Sequence, residues 1–276
     1  MYVAIDFGIS NTDLAISDKG NIAFHSIPTK STKINSDTIK HLFIKHKIDT
    51  SSVKKIGVTG GKSSDLDDSL DKIKIEKINE IEAIGLGAKK LYNIKDESTL
   101  VVSAGTGTAC VHIQGNNFNH LGGIAVGGGM LEGLGSLLFK NSNGLEINEF
   151  ANQGSRAELD LLIGDVVNKI GNLSPDITAV NFGQAKNSSA DTMENTAAAL
   201  CNMVGEVIGT VAYLNALLVG SDKVCFIGRT SYLSEVIDGV NQRLELAGIK
   251  GQYSQNREYG NVIGVLESIK TDLSGH

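Results

Sequence analysis

Short apolar runs punctuate this chain, and most are bounded by glycine, serine or asparagine. Runs at 2–5, 13–17, 22–27, 54–58, 100–104, 108–113, 223–228 and 249–253 predict β-strands. Apolar positions at helical spacing over 35–47, 79–93, 130–139, 145–151, 158–170, 191–219, 231–247 and 259–270 predict α-helices. Strands and helices alternate, which places the chain in the α/β class. The segment 191–219 is rich in Ala, Val, Met and Leu with one polar side, as expected of a central core helix. Ser63–Asp71 is acidic and serine-rich and predicts an exposed loop, and Gly171–Ser189, with Pro175, predicts irregular chain. The polar stretch Lys95–Ser98 is the expected boundary between an N-terminal α/β lobe (1–98) and a C-terminal α/β lobe (99–276).

Two of the turns carry candidate chemistry. Leu100–Val102 leads into Gly105-Thr106-Gly107-Thr108, a strand follows over Ala109–Ile113, and Gly127-Gly128-Gly129 then opens the helix Met130–Phe139. Glycine lets backbone N–H groups approach phosphate oxygens, threonine adds hydroxyl donors, and a helix N-terminus adds partial positive charge. A pair of ordinary hairpin turns would show the same pattern. A third loop lies at the N-terminus, where Tyr2–Ile5 ends at Asp6-Phe7-Gly8-Ile9-Ser10-Asn11-Thr12 and the apolar pattern resumes at Leu14–Ile16. Asp6 is placed to hold Mg²⁺ or its water shell. Gly8 permits a tight turn, while Ser10, Asn11 and Thr12 offer donors. The hairpins at 3–16 and 100–113 occupy equivalent places in the two lobes, which suggests two related halves with a nucleotide between them.

Composition narrows the partners. A length of 276 residues with 41% hydrophobic content suffices for a large core. The net charge of -6 and the absence of a basic tail argue against nucleic acid as main partner. No apolar run approaches the roughly eighteen residues of a membrane span, and the chain opens on a core-like strand, so neither a membrane segment nor a signal peptide is expected. Cys110, Cys201 and Cys225 are odd in number and lack metal-ligand spacing, as expected of buried thiols in a reducing cytoplasm.

These pieces, in order, resemble type II pantothenate kinases of the actin/hexokinase-like ATPase superfamily. The resemblance covers nearly the whole chain. It rests on Asp6-Phe7-Gly8, Val58-Thr59-Gly60-Gly61, Asn79-Glu80-Ile81-Glu82-Ala83 with Gly85 and Gly87, and Gly105-Thr106-Gly107-Thr108. It continues through Leu121-Gly122-Gly123, Gly127-Gly128-Gly129-Met130, Gly133-Leu134-Gly135, Ile177–Gly183, Val204-Gly205-Glu206 and Ile227-Gly228. It implies a duplicated, ribonuclease H-like ATPase fold of two lobes with nucleotide in the cleft. It also implies a cytoplasmic homodimer that phosphorylates pantothenate with MgATP, as the first step of coenzyme A synthesis. Glu80 would be the catalytic base, in keeping with the need to deprotonate a primary hydroxyl. Its apolar neighbours Ile78, Ile81 and Ile84 predict partial desolvation; Glu82 is the rival carboxylate. The resemblance adds Gly133 and Gly228 to the nucleotide-binding set and gives Thr106, His120, Gly122, Ala179 and Tyr253 to the substrate side, with Tyr253 reaching a neighbouring subunit.

Two departures stand out. Asp13 occupies the place of the family lysine in D-x-G-G-T-x-x-K, and Lys62 is a candidate replacement. His120 stands where the family has an arginine before the Gly-Gly pair, so Arg229 or Arg257 becomes an alternative partner for a substrate carboxylate. Another small-molecule hydroxyl kinase of the same fold, and a nucleotide-binding regulator without turnover, are the competing readings.

Overall fold

The structure is a computed structural model that describes residues 1–29, 34–61, 63–167, 174–187 and 189–271. The chain runs β1 (Tyr2–Phe7), β2 (Asn11–Asp18), β3 (Asn21–Pro28), α1 (Ser36–Lys45), β4 (Lys55–Thr59), β5 (Ser69–Leu70), β6 (Ile73–Lys77) and α2 (Glu80–Tyr92). It continues with β7 (Thr99–Ala104), β8 (Thr108–Gln114), β9 (Asn117–Ile124), α3 (Gly128–Phe139), α4 (Gly144–Ala151), β10 (Leu161–Leu162), α5 (Ile163–Val166) and β11 (Thr178–Val180). It closes with α6 (Met193–Val219), β12 (Lys223–Ile227), α7 (Ser234–Leu246), β13 (Lys250–Gln252) and α8 (Gly260–Thr271).

The α/β expectation holds, and the two main sheets repeat one topology. The first has the order β3-β2-β1-β4-β6-β5 and the second β9-β8-β7-β12-β13. In each, three sequential strands lie side by side, and the first of them borders a strand that arrives later. The pairs β4–β6 and β12–β13 are both parallel. This repeated order is what two related halves require.

The compact units differ from a single break near residue 98. One unit comprises 1–101, 111–120 and everything from 254 on; the other comprises 102–110 and 121–253. The C-terminal helix joins the first unit because Val262, Val265, Leu266 and Ile269 bury against Ala4, Ala15 and Ala83. Alternation along β1 sets this up. Val3, Ile5 and Phe7 face Ile39, Leu42 and Phe43 of α1, while Ala4 faces α8. Small residues let α8 approach closely: a Cβ on Gly57 would meet Val265 Cγ1 at 2.6 Å. A Cβ on Gly264 would meet the backbone of α2 at Ala83 and Gly87.

Three local expectations change. The helix expected over 158–170 is a short 3₁₀ turn at Arg156–Glu158, then β10 and α5; its last residues lie outside the described ones. Ser63–Asp71 is less loop-like than expected, because Leu66 and Leu70 are buried in the core of the first unit. Strands β5, β6, β9, β10 and β11 add to those expected. Helix α6 is long and apolar enough, by length and composition, to cross a membrane, yet its most apolar stretch is 61% buried inside the protein. That burial fits the core helix expected from its pattern.

A histidine pair couples this packing to pH. The rings of His25 on β3 and His46 at the end of α1 lie 4.3 Å apart, and His46 Nε2 is buried without a hydrogen-bond partner among the described residues. Burial pushes the His46 pKa below the usual imidazole value of 6.5, with His25 and Lys45 adding to the shift. The folded chain therefore binds fewer protons than the unfolded one. The stability this provides is present above the unfolded value and is lost as pH falls through the folded one. The urea midpoint is expected to be lower at pH 5.5 than at pH 7.5, and His46→Phe should narrow that gap. An unchanged gap would remove His46 as its source.

Candidate active site

In the first unit, the carboxyl ends of three parallel strands lie level. Asp6 on β1 pairs with Thr59 on β4, and Val58 with Lys77 on β6. The segments that follow these strands are Phe7-Gly8, Gly60-Gly61 and Ile78-Asn79-Glu80. Ligands of open α/β sheets bind at this end. Gly60 turns with φ +76, and a Cβ there would collide with Asp6 Oδ1 and lie 2.9 Å from Phe7 O. Only glycine lets the two loops close on each other. Asp6 is buried, and its Oδ2 accepts a hydrogen bond of 3.2 Å from Asn261 Nδ2 at the start of α8. Thr59, fully buried, donates to Ile78 O at 2.9 Å and joins the β4 and β6 ends.

Glu80 is the first residue of α2, whose N-cap Asn79 accepts the Ile81 N–H at 2.9 Å. Glu80 is exposed, contrary to the desolvation expected from its neighbours, because it stands at the very start of α2, where no preceding helical turn covers it. Among the described residues it makes no hydrogen bond or ion pair. Glu82 is less available: its Oε1 accepts from Ser268 Oγ of α8 at 3.2 Å.

The N-terminal hairpin holds its shape through hydroxyls. Thr29 donates to Gly8 O at 2.8 Å and lies 3.1 Å from the Thr12 hydroxyl, so Thr12, expected as an outward donor, is buried in the turn. Ser10 is exposed and Asn11 half-buried. A Cβ on Gly8 would meet Asn11 O at 2.6 Å. Asp13 is buried and lies directly opposite Asp6 on the neighbouring antiparallel strand. Opposed residues project to the same face, so Asp13 shares the face of Asp6. Lys62 lies outside the described residues.

In the second unit, the two glycine loops interlock. Gly128 N–H donates to Gly105 O at 2.8 Å, and Gly129 N–H to Thr106 O at 2.9 Å. A Cβ on Gly127 would lie 2.8 Å from both carbonyl oxygens. These glycines thus serve close packing of α3 on the 105–108 turn, and two N–H groups expected to face phosphate are donated inward. Thr108 likewise turns inward, donating to Val126 O at 2.7 Å. Thr106 and Gly107 remain half-exposed at the tip. Gly228, at φ +92, packs against the Ala104 backbone. Gly133 is exposed, and a Cβ there would meet nothing within 4 Å, so packing does not explain it.

The expected substrate-side residues come from several elements. His120 is exposed on β9 of the first unit, while Gly122 (φ +126) belongs to the second. Ala179 is exposed on β11. The Tyr253 hydroxyl donates to Asn241 Oδ1 at 2.8 Å, and its ring stacks on Phe226 at 5.1 Å. Arg257 donates to Ser254 O at 2.9 Å.

Behind β11 lies a buried polar network. Asp160, with no exposure, accepts from Phe182 N–H at 2.8 Å and from Asn202 Nδ2 at 3.1 Å, with Arg156 at 3.7 Å. Arg156 also donates to Thr178 Oγ1 at 2.7 Å. Asn181 donates to Glu206 Oε2 at 2.8 Å, and Arg243 forms an ion pair with Oε1 at 2.8 Å that is not aligned as a hydrogen bond. Burial raises the Asp160 pKa, opposed by the Phe182 N–H, Arg156 and Asn202. The three cysteines are free and buried, and burial pushes Cys110 up to about 11 and Cys201 up to about 12. Both thiols are therefore neutral and poor nucleophiles near neutrality.

Comparison with known proteins gives this geometry its context. The Fumble family model matches residues 98–236. A type II pantothenate kinase of Bacillus cereus is 33% identical over 243 residues, covering 83% of each chain. The chain belongs to the type II pantothenate kinase family. At the level of fold, the activator of 2-hydroxyisocaproyl-CoA dehydratase from Clostridium difficile, solved with bound ADPNP, aligns at TM-score 0.64 and 15% identity over 100% of this chain and 98% of its own. A ROK family glucokinase from Streptomyces griseus, in complex with glucose and AMPPNP, aligns at 0.59 and 12% identity over 97% and 98%. The fold is therefore that of the actin/hexokinase-like ATPases.

Within this family member, four residues that support the candidate site were not singled out in the sequence. Thr29, Asn261, Asp160 and Thr230 act through contacts more than fifteen residues away in the chain. No spacing rule reports such contacts. Only the polarity of Asp160 within an apolar run (Leu159, Leu161, Leu162) was a visible signal.

Proposed function

We propose that this chain is an ATP-dependent pantothenate kinase, forming 4′-phosphopantothenate as the first step of coenzyme A synthesis, and that it works as a cytoplasmic homodimer. Family membership supports the reaction. The structural observation that carries it is Glu80, exposed and unpaired among the described residues, at the same sheet end as buried Asp6. Glu80 takes the proton of the attacking primary hydroxyl. The half-exposed Thr106–Gly107 tip of the 105–108 loop binds phosphate oxygens, with Gly127–Gly129 as the wall behind it. Gly133, where a Cβ would meet nothing within 4 Å, leaves room for the nucleotide, and Gly228 supports its loop by packing on Ala104. Ala179, Gly122 and His120 are assigned to the acceptor on family membership.

The residues present suit Mg²⁺. No group of three or more His, Cys, Asp or Glu side chains that would cage a metal occurs among the described residues. Asp6 supplies one carboxylate at a glycine-lined turn, and Mg²⁺ commonly takes one or two carboxylates with water and substrate phosphates. Bound there, the ion would neutralise developing phosphate charge. Asp6 would hold it or its water shell, and Asn261 orients that carboxylate.

The test is ADP release with MgATP and purified protein, comparing pantothenate with pantetheine and a panel of sugars. Pantothenate-dependent turnover is the expected result. Turnover only with another alcohol would keep the kinase chemistry and reject the substrate. The buried Asp13 on the face of Asp6 favours a second reading, a nucleotide-binding regulator without turnover, since an extra carboxylate there opposes the negative charge of a phosphoryl group in transfer. ATP binding with no turnover on any acceptor would select it.

A further inference from the structure

Thr230 follows β12 in a short 3₁₀ turn, Arg229–Tyr232, and is buried at 3% exposure. Its hydroxyl makes two hydrogen bonds to loops more than a hundred residues away in sequence. It donates to Gly105 O at 2.8 Å and accepts from Gly128 N–H at 3.1 Å. A hydroxyl is suited to this dual role, being donor and acceptor at once. The Gly128 N–H is thus shared between Thr230 Oγ1 and Gly105 O. Gly128 is glycine for the same reason: a Cβ would sit 2.8 Å from Thr230 Oγ1. The turn that carries Thr230 is itself held, since Ser231 donates to Gly228 O at 2.6 Å and Gly228 packs on Ala104.

We infer that Thr230 is a positioning residue for nucleotide binding, a clamp that locks the 105–108 tip to the start of α3. The inference rests on the reading that these glycine loops hold the nucleotide phosphates. The physical argument concerns preorganisation. The tip is built from Gly105 and Gly107, residues with the greatest backbone freedom to lose. A tip that must be ordered by the ligand binds it more weakly than one already ordered. Thr230 and the two inward N–H bonds meet that ordering cost in the folded protein, before nucleotide arrives. A Thr230→Val change keeps the shape and removes both hydrogen bonds. It leaves the Gly105 carbonyl with one fewer donor, and the tip free to drift from α3.

Hydrogen exchange and steady-state kinetics decide it. In the unmodified protein without ligand, hydrogen exchange should show the Gly128 amide protected relative to exposed loop amides; exchange as fast as theirs would overturn the clamp. In Thr230→Val, exchange across 105–108 should quicken. The KM for ATP should rise roughly tenfold, the loss expected for one or two modest hydrogen bonds, while the KM for the acceptor stays within twofold. Thr230→Ser, which retains the hydroxyl, should recover most of the ATP affinity. Equal rises in both KM values, or no rescue by serine, would make Thr230 merely structural and overturn the inference. If Thr230→Val does not fold, the exchange measurement on unmodified protein and the serine variant still decide. An unmodified protein without any ATP-dependent turnover would reject the kinase reading instead, and the exchange result would still report on the clamp itself.

Discussion

Glu80→Gln is expected to lower kcat for pantothenate phosphorylation by about 10²- to 10⁴-fold, the range for loss of a positioned general base. The amide keeps the size and hydrogen-bonding reach of the side chain but cannot take the proton. The KM for ATP should change little, because phosphate binding is assigned to other residues. Stability should also change little: Glu80 is exposed and unpaired among the described residues, and loses only its favourable position at the start of α2, about 0.3–1 kcal/mol. Glu82→Gln is the control. It weakens the contact with Ser268 and should leave kcat within a fewfold. Steady-state kinetics on the two variants separate the carboxylates. Retention of kcat within threefold in Glu80→Gln would assign the base elsewhere.

Asp160→Ala is expected to be the most destabilising single change at the polar network, costing about 3–5 kcal/mol. The loss has identifiable parts. Arg156 stays in place without its 3.7 Å partner, and Asn202 and Phe182 each lose an acceptor. Phe182 also sits at φ +56, a left-handed conformation that costs a non-glycine residue energy and is held by its N–H bond to Asp160. Releasing it should unsettle the chain around Ala179. A second effect follows on the proposed function: the KM for the acceptor should rise more than the KM for ATP. Chemical denaturation with paired KM measurements checks both effects. A stability change below 1 kcal/mol would show that the network relaxes around the missing carboxylate.

The departures from the sequence-based expectations have particular causes. Strand β9, Asn-Phe-Asn-His-Leu-Gly-Gly-Ile, is an edge strand with mixed exposure, so it lacks the apolar run that marked β7 and β8. Strand β6, Ile-Lys-Ile-Glu-Lys, does alternate, but with only two apolar positions the pattern is too short to distinguish a strand from a loop. Residues 158–170 carry helix-like apolar spacing, yet Asp160 turns inward, and its bonds to Phe182 and Asn202 impose another path. Contacts with distant residues overrode local propensity there.

What the sequence by itself determined was the local chemistry. The three glycine loops, the Asp6 hairpin, Glu80 at a helix start and the long apolar α6 were all legible. Each depends on neighbours within a turn or two of chain, where backbone freedom and periodicity act. Only the tertiary structure decided how these pieces serve one another. Parallel pairing of β1, β4 and β6 put Asp6, Gly60 and the start of α2 at one sheet end. Packing of α8 on the first sheet brought Asn261 to Asp6 across most of the chain. The same physics turned Gly128, Gly129 and Thr108 inward, assigning them to hold the loop, while Thr106 and Gly107 at its tip stay half-exposed. A buried N–H or hydroxyl takes whichever acceptor the fold brings within 3 Å or so, and sequence spacing does not encode that choice.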